Sequence, residues 1–107
     1  MDKHKVDRLS EANLVKLLGE ESVAELEETY DVDLSEGAVA VTLANGSVAT
    51  VAVIEEVLKL SAAKESVPML IIASKFEADA ANKALEFEDV VLCTKSGAGK
   101  LSPLIPA

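Results

Sequence analysis

Few side chains in this sequence are suited to nucleophilic catalysis. His4 is the only histidine and Cys93 is the only cysteine. We expect His4 to lie in a solvated N-terminal tail, where no neighbouring group would hold it in place as a general base. Cys93 ends the apolar run that begins at Val90, which predicts a small buried core residue with an unreactive thiol. The sequence therefore does not indicate a serine or cysteine hydrolase.

One glycine-rich segment carries part of a phosphate-binding motif. Gly97-Ala98-Gly99-Lys100 follows an apolar run, as the loop of a nucleotide-binding protein does. The complete motif requires a glycine where Thr94 stands and a serine or threonine where Leu101 stands. Because both requirements fail, we expect no nucleotide cofactor at this segment.

An acidic segment carries part of a calcium-binding motif. Asp31, Asp33 and Ser35 alternate with other residues, as the ligands of a calcium loop do. Such a loop requires glycine and glutamate at its sixth and twelfth positions, which are Glu36 and Thr42 here. We expect a polar turn rather than a metal site, and we predict that the chain has no cofactor and is not an enzyme.

The charge composition disfavours nucleic acid as a partner. The 107 residues include 19 acids and 10 bases, for a formal net charge of -9, and Arg8 is the only arginine. Proteins that bind nucleic acids usually collect lysine and arginine on one face.

Half of the residues are apolar, which is enough for the core of one domain. No apolar segment follows the N-terminus and no apolar run is long enough to span a membrane, so we expect a cytoplasmic protein.

The acids are concentrated in one segment. The interval from Glu20 to Glu36 holds eight acids and no base. One interpretation is a solvated helix face followed by a polar loop. The other is a docking surface for a basic partner protein, with Glu25, Glu28 and Asp31 as candidate contact residues.

The N-terminal half of the chain is predicted to contain helices and then a hairpin. Ser10 is a suitable N-cap for a helix that Gly19 ends or kinks, and Glu20 begins a second helical stretch. Between Ala38 and Ile54, two β-branched alternating runs flank Asn45-Gly46, a strong hairpin signal. The alternative is a helix over residues 47–60, which would produce a plain βαβαβ sheet. The β-branched residues favour the hairpin.

The C-terminal half is predicted to contain a parallel pair of strands. Helical spacing resumes at Ile54, and Met69–Ala73 and Val90–Cys93 are apolar runs typical of buried strands. Glu77–Glu86 is predicted to form the helix between them, which implies a parallel pair with a right-handed crossover. We therefore predict an α/β domain over residues 1–95, with an N-terminal helical segment, a β-hairpin, and helix-strand-helix-strand in a single mixed sheet.

Residues 96–107 are predicted to form a flexible C-terminal tail. Their apolar side chains Leu101, Leu104 and Ile105 allow two interpretations. The tail either docks on a partner or packs on its own domain.

The order of these elements resembles the PD-(D/E)XK endonuclease-like fold. The similarity runs from Leu14 to Cys93 and rests on the Asn45-Gly46 hairpin and two later stretches. Those stretches, Val67–Ser74 and Glu77–Leu85 leading into residues 89–92, look like the strand and following helix of the second half of that fold.

The resemblance implies a member without catalytic activity. The family holds a divalent metal between an acid near the start of the hairpin and an acid-x-Lys on its second strand. Asp33 matches the first acid, but the segment Val48–Val53 contains neither an acid nor a lysine.

We therefore predict a non-catalytic protein-protein interaction or regulatory module. The alternative is an accessory protein of DNA or RNA metabolism that descends from a nuclease. A small-ligand site at the carboxyl ends of the parallel strands is a third hypothesis, based on the fold alone. An edge strand or an alanine-rich helix would also allow a homo-oligomer.

Overall fold

A computed structural model describes residues 4–43, 48–61, 67–87, 89–96 and 100–104. The helices are α1 (Glu11–Leu18), α2 (Glu20–Tyr30), α3 (Val51–Ser61) and α4 (Ala78–Leu85). The strands are β1 (His4–Leu9), β2 (Ala38–Leu43), β3 (Val48–Ala49), β4 (Met69–Ala73), β5 (Lys75–Phe76), β6 (Val90–Lys95) and β7 (Leu101–Pro103).

Five of these strands form one mixed sheet in the order β1-β2-β4-β6-β7. The central strands β2, β4 and β6 are parallel, and the edge strands β1 and β7 are antiparallel to their neighbours. In the central register, Val41 lies beside Ile71 and Ile71 lies beside Leu92. The α/β class, the mixed sheet and the parallel pair β4–β6 are confirmed.

The prediction of a solvated N-terminal tail is wrong for residues 4–9. These residues form β1, which pairs with β2 over its whole length from His4–Leu43 to Leu9–Ala38. The charged residues Lys5, Asp7 and Arg8 obscure the alternation that marks a strand. An edge strand tolerates such charges because only one of its edges enters the sheet.

The helices α1 and α2 are separate and meet at Gly19. The Oγ of Ser10 accepts a hydrogen bond from the backbone N–H of Asn13 at 3.3 Å, so Ser10 caps α1 as predicted. Gly19 has a φ of 90°, a backbone conformation that favours glycine and interrupts the helix. Each helix buries its own short apolar stripe, and both stripes pack against the same face of the sheet.

The predicted β-hairpin is wrong. Asn45-Gly46 lies outside the described residues, but the two runs beside it do not pair with each other. The first run is β2, between β1 and β4, while β3 pairs in parallel with β5 in a small sheet of its own. The single predicted sheet is therefore accompanied by a second, two-stranded one.

The alternative prediction, a helix over residues 47–60, is correct from Val51 onward. The Oγ1 of Thr50 accepts a hydrogen bond from the N–H of Val53 at 3.3 Å, in the manner of an N-cap. Ile54, Val57 and Leu58 then lie on one buried side of α3. Burial of this side against the sheet outweighs the preference of β-branched residues for strands.

The sheet lies between two helical layers, each with its own core. The side of α1 and α2 buries Leu14, Leu26 and Ile72 among its members. The side of α3 and α4 buries Val41, Ile54 and Leu92 among its members. The described residues therefore form a three-layer α/β/α arrangement.

The prediction of a flexible C-terminal tail is wrong for residues 101–104. Leu101–Pro103 is strand β7, which pairs antiparallel with β6. Leu101 is buried and Leu104 is half-buried. Pro103 fits this position because β7 is an edge strand, with one side that no described strand pairs.

Candidate protein-binding surface

The exposed side of α2 presents a row of carboxylates. Glu21, Glu25 and Glu28 are spaced i, i+4 and i+7, and this spacing places them on one side of a helix. The opposite side carries Val23 and Leu26, which are buried against the sheet. We call the exposed row Glu21, Glu25, Glu28 and Asp31 the acidic face.

Asp31 extends the acidic face to the end of the helix. It is the C-cap residue, with a φ of 52° in the left-handed region, and its N–H donates a hydrogen bond to the carbonyl of Glu27. Aspartate adopts this conformation more readily than most residues. Its exposed carboxylate therefore follows directly after the last turn of α2.

Two nearby acids have structural roles instead. Oε2 of Glu27 accepts a hydrogen bond from the N–H of Leu34 at 2.9 Å, which ties α2 to the loop that leads into β2. Oδ1 of Asp33 accepts one from the N–H of Ser35 at 2.9 Å. The hydroxyl and the N–H of Ser35 lower the pKa of Asp33. The acid that the nuclease resemblance matched to a metal ligand thus stabilises a turn.

No described cation forms an ion pair of measured distance with the acidic face, although Lys100 lines a pocket that Glu20 and Glu21 also line. Within the described ranges, the ion pairs with measured distances are Lys5–Asp7 and Lys83–Glu86, both at 3.7 Å and both on other elements. No described lysine or arginine pairs with the four acids of the acidic face. Like charges at i and i+4 of a helix destabilise it by about 0.2–0.5 kcal/mol per pair. This surface therefore carries repulsion that a cationic partner would relieve.

The C-terminal candidates do not belong to an open surface. The N–H of Leu104 donates to the carbonyl of Leu92 at 3.0 Å, and the carbonyl of Leu104 accepts a hydrogen bond from the hydroxyl of Tyr30. Leu101 lies in the core beneath α1 and α2. Residues 100–104 therefore pack on their own domain, which was one of the two predicted alternatives. Ile105 lies outside the described residues.

Cys93 is buried, as predicted, and its thiol stays protonated at neutral pH. Its side chain is fully buried, and this burial raises the pKa of the thiol to about 12. Burial also raises the pKa of the nearby Tyr30 hydroxyl to about 12, and the proximity of Cys93 contributes to that rise. Both groups therefore hold their protons in the fold.

A groove of about 260 Å³ runs across the main sheet from β1 to β7, on the side of α1 and α2. Lys5, Asp7, Thr42 and Lys95 supply its polar groups. Its apolar lining consists of Leu9, Leu17, Ala40, Ile72 and Leu101. Lys5 and Lys95 are far apart in the sequence, and they line the same groove because β1 and β6 belong to one sheet.

Among the described residues, no three histidine, cysteine, aspartate or glutamate side chains are grouped as a metal site requires. Across the same residues, no helix is both long enough and apolar enough to cross a membrane. Comparison of the chain with family models, with curated proteins and with solved structures found no match.

Proposed function

We propose that this chain is a non-catalytic protein-interaction module whose acidic face binds a partner with a basic surface. The observation that carries the proposal is the row of Glu21, Glu25 and Glu28 on the exposed side of α2, with which no described lysine or arginine forms an ion pair. Complementary charge across an interface speeds association and selects the partner.

The arrangement of charges on α2 supports binding over simple solvation. A helix surface that only needs to be soluble gains stability from glutamate and lysine mixed at i and i+4. The acidic face contains the like-charged pair Glu21–Glu25 at that spacing and no lysine. A partner that brings lysine or arginine to this face removes the repulsion, so binding is favoured most at low salt.

The state of the buried titratable groups also supports a non-catalytic role. Nucleophilic and general-base groups commonly have a pKa shifted toward the working pH. The pKa values of Cys93 and Tyr30 are shifted in the opposite direction, away from neutral pH. Neither group is prepared to give up its proton to a substrate.

Reversal of one charge tests the acidic face. We expect Glu25→Lys to weaken partner binding about tenfold or more, because it places a cation in the centre of the face. The same substitution raises the stability of α2 by about 0.5 kcal/mol, since the new ammonium group would lie one turn from both Glu21 and Glu28. The measurement is quantitative affinity capture from native lysate with and without nuclease treatment, together with urea denaturation of both proteins.

The matched control is Glu55→Lys, which makes the same charge change on the exposed side of α3 in the opposite layer. The proposal requires captured proteins that Glu25→Lys loses and Glu55→Lys retains. Equal capture by wild type and both variants would contradict it. Loss of all captured proteins on nuclease treatment would instead favour the nucleic-acid accessory role.

A further inference from the structure

The strand β1 has one edge that no described strand pairs. It lies at the end of the order β1-β2-β4-β6-β7, with β2 on its inner side. Three of its side chains are open to solvent, with Val6 52% exposed and the side chains of Lys5 and Asp7 77% and 47% exposed. In an antiparallel ladder, alternate residues point their N–H and C=O groups outward. This edge therefore offers backbone hydrogen bonds to another strand.

A second copy of the chain fits this edge only in restricted registers. Two sheets can join through antiparallel edge strands that are related by a two-fold axis perpendicular to the sheets. Each residue then lies opposite a residue whose side chain is on the same side of the joined sheet. The axis must therefore pass through a residue paired with itself. In such a register, a residue whose N–H and C=O groups point outward lies opposite a residue of the second copy that also points both groups outward. Each of these pairs can exchange two N–H···O=C hydrogen bonds, so both edges are satisfied together.

The length and the charges of β1 together select one of these registers. An axis at His4 or at Leu9, the two ends of the strand, would leave the rest of β1 without a partner in the second β1. An axis at Lys5, at Asp7 or at Arg8 would place that charge opposite its own copy. An axis at Val6 instead places Lys5 opposite Asp7 of the second copy, and Asp7 opposite the second Lys5, while Arg8 meets the position of His4. Opposite charges directly across a strand pair stabilise it, and like charges destabilise it.

Exposed apolar groups flank the same edge on both sides of the sheet. Val6 pairs with Val41, which belongs to the core on the side of α3 and α4, so Val6 lies on that side. On the other side, Leu17 of α1 is 51% exposed and lines the groove that Lys5 and Asp7 also line. An added strand would remove apolar surface from water on both sides.

We infer that two copies of this chain form a dimer by antiparallel pairing of their β1 strands about Val6. The pairing joins two five-stranded sheets into one continuous sheet, and it adds two Lys5–Asp7 pairs between the copies to the pair that the same residues form within each strand at 3.7 Å. It concerns β1 alone and is independent of the acidic face on α2, so either inference can fail without the other.

Charge-swap variants test the dimer. Lys5→Asp and Asp7→Lys each place like charges across both pairs, so we expect each variant to weaken dimerisation about tenfold. An equimolar mixture of the two restores opposite charges in a heterodimer, and so does the double variant K5D/D7K in a homodimer. The measurement is sedimentation velocity over a concentration series at physiological salt, where repulsion between the two acidic chains is screened beyond about 8 Å.

A cysteine at the axis tests the register directly. Residues directly opposite in an antiparallel pair have Cα atoms about 4.5–5.5 Å apart, within the range of a disulfide. We expect Val6→Cys to form a covalent dimer on mild oxidation. Asp7→Cys is the control, because its symmetry mate is offset along the strand beyond disulfide reach. The buried Cys93 does not compete.

Circular dichroism and thermal melting of every variant show whether it is folded. A wild-type protein that stays monomeric throughout the concentration series would overturn the inference. So would a mixture of folded Lys5→Asp and Asp7→Lys proteins that does not associate, or oxidation that cross-links Asp7→Cys as readily as Val6→Cys.

Discussion

Gly37 allows the start of β2 to pass directly against the end of β1. Its φ is +96°, and a Cβ built at this position would lie 2.2 Å from the carbonyl oxygen of Leu9. Gly19 has a similar φ of +90°, but a Cβ there would have no atom within 4 Å. The two glycines therefore share a backbone requirement and differ in the space around them.

This difference leads to a prediction for two alanine substitutions. Gly19→Ala is expected to cost about 1–3 kcal/mol of unfolding free energy, because alanine is strained at this φ. Gly37→Ala is expected to cost clearly more, since Leu9 and the backbone of Ser10 must also move. Urea denaturation of both variants measures the difference. Equal losses would show that the approach of Leu9 does not limit the fold.

Tyr30 and Cys93 make the fold sensitive to alkaline pH. Burial raises the pKa of the phenol from 10.0 and that of the thiol from 9.0, both to about 12. The unfolded chain therefore releases these protons at a lower pH than the folded chain does. Their contribution to stability is complete below pH 9 and is lost as the pH rises toward 12.

Within this window we predict a fall in unfolding free energy of up to about 1.4 kcal/mol per pH unit from Cys93, and a smaller fall from the half-buried Tyr30, whose shift solvent screens. Cys93→Ala should make the decline between pH 9 and 12 less steep, and Tyr30→Phe should do so between pH 10 and 12. Urea denaturation at several alkaline pH values gives the slopes. Slopes that neither substitution changes would mean that other groups cause the alkaline unfolding.

At the level of elements, β7 completes the sheet. It pairs with β6, buries Leu101, and leads to Leu104, whose carbonyl accepts a hydrogen bond from the hydroxyl of Tyr30 on α2. These contacts connect the C-terminal strand with one of the outer helices. The strand is short, but it closes the end of the core beneath α1 and α2.

We predict that Leu101→Ala lowers the unfolding free energy by about 2 kcal/mol, because it removes buried apolar surface and leaves a cavity. The neighbouring exposed residue provides the control: Ser102→Ala should change it by less than about 0.5 kcal/mol. Thermal or urea melts of the two variants make the comparison. A stability unchanged by Leu101→Ala would return this residue to the candidates for partner docking.

The elements differ in how well their sequences predicted them. Met69–Ala73 and Val90–Cys93 were predicted because continuous apolar runs mark strands that are buried on both sides. The sequence of β1 has no such mark, since an edge strand is stabilised through one backbone edge and accepts charged side chains. The segment after Asn45-Gly46 was predicted to be a strand because its β-branched residues favour that conformation locally. The buried apolar side of α3 stabilises the helix by more than this local preference.

The candidate surface was only partly predictable for a related reason. Glu25, Glu28 and Asp31 could be assigned to an exposed surface from charge alone, because carboxylates without partners stay in water. The burial of Leu101 depends on its pairing with Lys95, which is separated from it by glycine-rich sequence. A local sequence pattern does not show which strands pair with each other. The sequence therefore allowed the C-terminal residues either to dock on a partner or to pack on their own domain.

At the scale of the whole molecule, the acidic face and the edge of β1 occupy different parts of the surface. The acidic face lies on the outer side of a helical layer, and β1 lies at the edge of the sheet. A two-fold axis perpendicular to the sheet keeps both α1–α2 layers on the same side of the joined sheet. The inferred dimer would thus present two acidic faces in one direction, and a partner with two basic segments would bind with avidity.

The strands of the main sheet lie side by side in the order in which they occur along the chain. Each new strand pairs with the one synthesised before it, and no later strand inserts between two earlier ones. The sheet can therefore grow outward from β1 while the chain leaves the ribosome, with β7 added last. Intermediates on this route expose the outer edge of β1 and a single growing edge, so each new strand has few edges on which it could mispair during synthesis.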